Sequence, residues 1–217
     1  MTPDRLRNFC RRTASHGAGE DGAVLVELAL VLPLFLFILF GLIDFGRLAY
    51  ALVMAESAVD MAARIAVVRA PACAGVPTAN LRYTGSSAPV PAPPYGTSCS
   101  AGGNICAGTS APPCTGVLSN TTASEIWSRV APLMPSGTTV ANLQFTYTYD
   151  PKLGFLGGPY VPMVTVALTG AQFQFVTPLA GLAQMLTGTG LGFNQIEDFP
   201  TISASLPGED LAQGPGT

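Results

Sequence analysis

Residues 22–43 read GAVLVELALVLPLFLFILFGLI, a run in which Glu27 is the only charge; Asp44 is the next one along. At about 1.5 Å of rise per residue, residues 23–43 make a helix of about 31 Å, which matches a hydrocarbon core of about 30 Å. A charged side chain within such a span costs about 2.5–3.5 kcal/mol on insertion scales, so Glu27 needs a partner or a route to water. Pro33 removes one backbone hydrogen bond inside the helix, and a kink is expected there.

Working outward, the 217 residues are 48% hydrophobic and 11% charged, against about 25% charged in a soluble globular domain. With 24 Gly and 19 Pro, the chain favours long loops over a dense core. About 170 residues follow the apolar run, enough for one small domain. Arg5, Arg7, Arg11 and Arg12 precede the run, and beyond Gly22 acids outnumber bases ten to six. Arg-rich flanks stay on the cytoplasmic side, which places the amino terminus inside and the bulk of the chain outside. No basic patch interleaved with aromatics supports a nucleic-acid partner.

The chain divides into a polar leader (1–22), a transmembrane helix (23–43), an amphipathic extension (44–70), a Pro/Gly/Cys-rich loop (71–120) and a small α+β outer domain (121–217). In the extension, Phe45, Leu48, Leu52, Ala55, Val59, Ala62 and Ala66 recur at steps of three or four, an apolar helical stripe. Asp60 and Arg64 are spaced for an i,i+4 ion pair. Pro71 ends the pattern, giving one helix of about 48 residues and about 70 Å, with two helices hinged at Gly41 or Gly46 as the alternative. Residues 71–120 read as irregular loop. Residues 124–134 suit a short helix capped by Thr122 or Ser124.

Leu143, Phe145, Tyr147 and Tyr149 alternate with polar neighbours, the period of a half-buried strand. Residues 161–169 and 172–176 read as further strands, 201–206 as a weaker one, and 152–159 as the turn of a hairpin. Residues 178–190 suit either a short helix or a hydrophobic loop. The fold class is therefore α+β: a long helix packed against a small antiparallel sheet of three or four strands, with a disulfide-stapled loop.

Cys10 lies in the leader, whereas Cys73, Cys99, Cys106 and Cys114 lie on the outer side. Four cysteines in an oxidising compartment read as two disulfides, with three connectivities open. The rival is a four-thiolate metal site, disfavoured by the lack of any CxxC pair. The sole histidine, His16, is in the leader, and Glu125, Asp150, Glu197 and Asp198 are scattered. No P-loop or HExxH is present, so neither catalysis nor a cofactor is expected.

Two readings of Gly22–Ala23–Glu27 stay open. In one, Glu27 simply snorkels to the near interface. In the other, the chain is cut between Gly22 and Ala23. Glycine lets the backbone enter a protease cleft, and Glu27 neutralises the new α-amino group of Ala23.

The stretch GAVLVELALVLPLFLFILFGLIDFGRLAY, with ESAVDMAARIAVVRA after it, resembles TadE-like proteins of the tight-adherence (Flp) pilus system, which are similar to type IVb pseudopilins. The family pattern of Glu, Pro, acid and Ala-Ala-Arg falls on Glu27, Pro33, Asp44 and Ala62-Ala63-Arg64; the FPTISASL ending is also family-like. The resemblance implies a pilin-like fold and a leader cut by a membrane prepilin peptidase. It further implies an inner-membrane location with a periplasmic domain, and other pilins and the pilus assembly machinery as partners. Set against this minor-pilin reading are an uncleaved bitopic periplasmic scaffold or binding module and, more remotely, a secreted disulfide-rich enzyme.

Overall fold

The structure, a computed structural model, describes residues 21–175, 196–209 and Leu211. The leader as far as residue 20, with Cys10 and His16, lies outside the described residues, as does the 178–190 segment. The chain clusters into two compact units, Met1–Gly46 with Thr177–Leu191 and Arg47–Val176 with Gly192–Thr217.

Helix α1 runs over Asp21–Ala66 and contains Pro33. It continues through Gly41 and Gly46, so the two-helix alternative does not hold. In the first unit its apolar residues are uncovered: Leu30 is 72% and Phe35 57% exposed. A helix satisfies its own backbone groups, which is why an apolar run of this kind is stable only as helix when surrounded by lipid.

In the second unit α1 buries Ala55, Ala58, Val59, Ala62, Ala63 and Ala66, and Val67 just past its end is buried with them. The buried face is wider than the expected stripe, and Phe45 at its start is exposed. Alanine at five of these positions leaves little side chain between the helix backbone and the residues packed on it. Ala62→Leu is expected to cost about 1–3 kcal/mol through overpacking; thermal unfolding followed by near-ultraviolet dichroism checks this, and an unchanged midpoint would show spare room beside Ala62.

The helix stops at Ala66, four residues before the expected end. Val67 N–H still reaches Ala63 O at 3.1 Å, but Val68 N–H bonds Ile65 O at 3.3 Å, one residue closer along the chain. This tightened turn coincides with two β-branched residues of low helix propensity, and Ala70 O is taken by the Thr122 hydroxyl at 2.7 Å. Asp60 and Arg64 are both exposed and do not pair, whereas Glu125 pairs with Arg69 and Arg129. An exposed pair gains too little to hold two long side chains together.

The main sheet has four antiparallel strands in the order β1-β2-β3-β6, with β1 at Ala111–Thr115, β2 at Leu143–Thr148, β3 at Met163–Leu168 and β6 at Ile202–Pro207. Strands β2 and β3 bury Leu143, Phe145, Tyr147, Val164, Val166 and Leu168. These residues form one core with the buried face of α1. Phe145 pairs with Val166 across the β2–β3 ladder. The connection between them begins with a single 3₁₀ turn, Pro151–Leu153, capped by the Asp150 carboxylate, which accepts from Lys152 N–H at 2.9 Å.

Two expectations are corrected in the sheet. Strand β1 lies inside the stretch expected to be loop; it contains Pro112 and Pro113 and shifts register between Ala111 and Cys114. Proline cannot donate to a ladder and is tolerated at an edge or bulge, which is where β1 sits. Of the stretch 172–176, residues 172–175 do not join the main sheet, and Val176 lies outside the described residues. Gly170, at φ +63°, turns the chain, and β4 (Gln172–Gln174) pairs with β5 (Ile196–Asp198) as a separate two-stranded sheet.

Helix α2 spans Thr121–Val130, and its cap is Asn120, not Thr122 or Ser124: the Asn120 side chain accepts from Ala123 N–H at 2.9 Å. Asparagine is among the best capping residues, and Thr122 is occupied with Ala70 O. The loop expected to lack a core holds a small one, formed by Cys99, Ile105, Cys106 and Leu156. Asn80, 3% exposed, ties this loop to the β2–β3 connection. Its N–H donates to Gly158 O, its carbonyl accepts from Gly157 N–H, and its side-chain amide donates to Pro159 O, each at 2.9 Å.

Candidate functional site

Gly22 and Ala23 fall in the first turn of α1, and Glu27 is exposed one turn further along. Helical spacing at i,i+4 puts Glu27 on the same face as residue 23. The first four N–H groups of a helix lack intrahelical acceptors, and terminal turns open at little cost, so this turn is the part of α1 most readily extended. Pro33 lies about 1.7 turns beyond Glu27. Asp44, the next charge, is buried, at 1% exposed. The span that separates them is uninterrupted by charge.

The four cysteines after the apolar run form two bonds, Cys73–Cys114 and Cys99–Cys106. Their Cα atoms are 5.7 and 5.2 Å apart, within the ordinary range for a disulfide. All four sulfurs are thereby used, which replaces the thiolate-metal alternative. Among the described residues no group of three or more His, Cys, Asp or Glu is placed to hold a metal ion. The first bond fixes the segment after α1 to edge strand β1; the second closes the small core under the loop.

Where α1 gives way to that segment, a polar clasp holds the chain to α2. Arg69 Nε and Nη2 donate to the two Glu125 carboxylate oxygens at 2.9 and 3.2 Å, and Arg129 lies 3.9 Å from the same carboxylate. The buried Tyr147 hydroxyl accepts from Ala72 N–H at 2.9 Å, and burial pushes its pKa up. The Arg69 hydrogen bond holds the Glu125 pKa below its ordinary value, with burial opposing and the charges of Arg69 and Arg129 assisting.

A depressed carboxylate pKa stabilises the fold above the ordinary value of about 4.3 and loses that contribution as pH falls through the lower folded value. Glu125→Gln is therefore expected to remove part of the acid-side decline in stability, with little change in its shape above about pH 6. Denaturant melts across pH check this; parallel acid limbs in both proteins would contradict it. Nothing in the sequence pairs Arg69 with Glu125, 56 residues apart. The signals available were only an acid early in a short helix and a base just before Pro71.

A long apolar helix with an exposed first half, joined to a small α+β domain with two disulfides, fits a single-pass membrane protein. Residues 22–64 match the model of the TadE-like protein family, in agreement with the resemblance read from the sequence. The match covers Gly22, Ala23, Glu27, Pro33, Asp44 and Arg64 and ends before the sheet. No curated protein and no solved structure shows significant similarity to the chain.

Proposed function

We propose that the protein is a minor pilin or pseudopilin of a Flp/Tad-type adhesion and secretion system, assembling with other pilins and the pilus machinery rather than catalysing a reaction. The observation that carries this reading is the TadE-like match over residues 22–64, which contains both the apolar span and the Gly22–Ala23–Glu27 spacing. The Arg-rich leader stays in the cytoplasm and the disulfide-bonded domain faces the periplasm. A prepilin peptidase cuts between Gly22 and Ala23, and the new α-amino group of Ala23 is matched by Glu27, in the same subunit or a neighbour, so that neither charge is left alone in lipid.

Amino-terminal sequencing of the membrane protein, with and without the peptidase, tests the cut. Ala23 at the mature end only when the peptidase is present is the expected result; any other mature end refutes it. Glu27→Ala should abolish assembly while leaving membrane insertion intact, and normal piliation in that variant would remove the pairing role. A second reading, an uncleaved bitopic periplasmic scaffold or binding module, is favoured by the helical conformation of Gly22. It requires full-length protein in the membrane whether or not the peptidase is present.

A further inference from the structure

Strand β6 forms one edge of the main sheet, with β3 as its neighbour. At the end of the β3–β6 ladder, Gly208 N–H donates to Pro162 O at 2.8 Å. Residues of an antiparallel ladder alternate between bonding the partner strand and turning their N–H and C=O away from it. Ile202, Ala204 and Leu206 therefore bond β3, and Ser203 and Ser205 direct their backbone groups outward. The Thr165 and Ser205 hydroxyls, 2.7 Å apart, agree with this phase, because side chains approach most closely at a pair that exchanges no backbone bonds.

The two edges of the sheet differ. Edge strand β1 carries Pro112, Pro113 and a register shift, devices that keep a further strand from pairing. Strand β6 has no proline before its last residue, residues 199–207 carry no charge, and its register with β3 is unbroken over six pairs. On the α1 side, Ile202, Ala204 and Leu206 are only half-buried, whereas the β3 residues opposite them are buried. Among the described residues no other strand pairs with β6. One edge is guarded, and the other presents unpaired backbone groups beside a half-covered apolar row.

We infer that the outer edge of β6 receives an extended strand from a different subunit of the assembly, added to the sheet through backbone hydrogen bonds. That strand is uncharged over about five residues, with apolar side chains at alternate positions that complete the cover over Ile202, Ala204 and Leu206. A second copy of this chain does not fit. Its β1 edge lacks donors at Pro112 and Pro113. Its β6, run antiparallel, relates the copies by a half-turn perpendicular to the sheet. That turn reverses the half of α1 packed on the sheet, whereas copies side by side in one assembly run the same way. Run parallel, its β6 brings serines to the apolar row. The inference rests on the assembly reading and deepens it by naming the kind of contact.

Full-length chain in detergent, titrated with a fluorescein-labelled peptide of sequence TISASL, tests the edge; the peptide matches β6 when antiparallel and carries no α1 to conflict. Binding is expected, weakened about tenfold or more by N-methyl groups on the two serines, whose N–H groups face β6. N-methyl groups on the isoleucine and alanine leave it unchanged. Ser205→Pro removes an outward donor and no bond to β3, a position where proline is tolerated, and gives the same loss; Ser203→Pro replaces it should the fold be disturbed. No binding, or equal binding of the serine-methylated peptide, overturns the proposal. So does a dimer of the native chain that Ser205→Pro abolishes, which makes a second copy the occupant. In piliated cells Ser205→Pro is expected to reduce piliation at an unchanged membrane level, and normal piliation overturns the use of this edge in assembly. Normal piliation in a strain lacking the protein overturns the assembly reading itself, whatever the peptide does.

Discussion

Replacing Cys73 and Cys114 together by serine is expected to destabilise the α+β domain by about 4 kcal/mol, against about 2.5 kcal/mol for Cys99 and Cys106. The difference follows from the loops they close, with sequence separations of 41 and 7: the longer loop removes more conformational freedom from the unfolded chain. For a domain of this size the larger effect lowers the melting temperature by roughly 10 °C. Beyond entropy, the Cys73–Cys114 bond anchors β1, an edge strand whose prolines leave it few ladder hydrogen bonds. Urea or thermal unfolding of the two double variants in one detergent checks the order. Equal losses, or a larger loss without Cys99–Cys106, would show that loop length does not govern here.

Phe145→Ala is expected to cost about 3–5 kcal/mol, the range for emptying a buried aromatic site. Phe145 is fully buried, sits mid-strand opposite Val166 on one side and Cys114 on the other, and belongs to the core shared with α1. A Cβ added at Gly116 would meet its ring at 3.4 Å, so the backbone already closes over it and collapse cannot fill the space it leaves. The comparison is Thr146→Ala, on the opposite face of β2, expected within about 0.5 kcal/mol of the native protein. Denaturant unfolding of both variants measures the contrast, and similar losses would mean that the ring carries little of the packing.

The parts of the fold that were legible are those where one periodicity dominates. Leu143, Phe145 and Tyr147 alternate because one face of β2 meets α1, and Ala55, Val59, Ala62 and Ala66 repeat because one side of α1 meets the sheet. Strand β1 was hidden because Pro112 and Pro113 argue against a ladder; an edge position and a bulge make them compatible, and both are tertiary facts. The pairing of β4 with β5 depended on a turn at Gly170, and Asn120 displaced two other good caps because Thr122 was taken up elsewhere. The cysteines announced two bonds but not their partners, since four positions allow three connectivities. At the candidate site, Gly22, Ala23 and Glu27 were visible as a spacing along the chain, whereas the Arg69–Glu125 clasp exists only once α1 and α2 are brought together.

The two disulfides are nested, Cys99–Cys106 lying wholly within the loop that Cys73–Cys114 closes. With the domain exported to the periplasm as proposed, a chain delivered amino end first presents Cys73 and then Cys99 to an oxidising enzyme before Cys106 or Cys114 has emerged. Joining cysteines in order of arrival would therefore link Cys73 to Cys99, a pairing the native fold does not contain. Correction needs a thiolate to attack that bond and exchange partners. Production of native protein is thus expected to depend on an isomerase that reshuffles cysteines, and not on an oxidase alone.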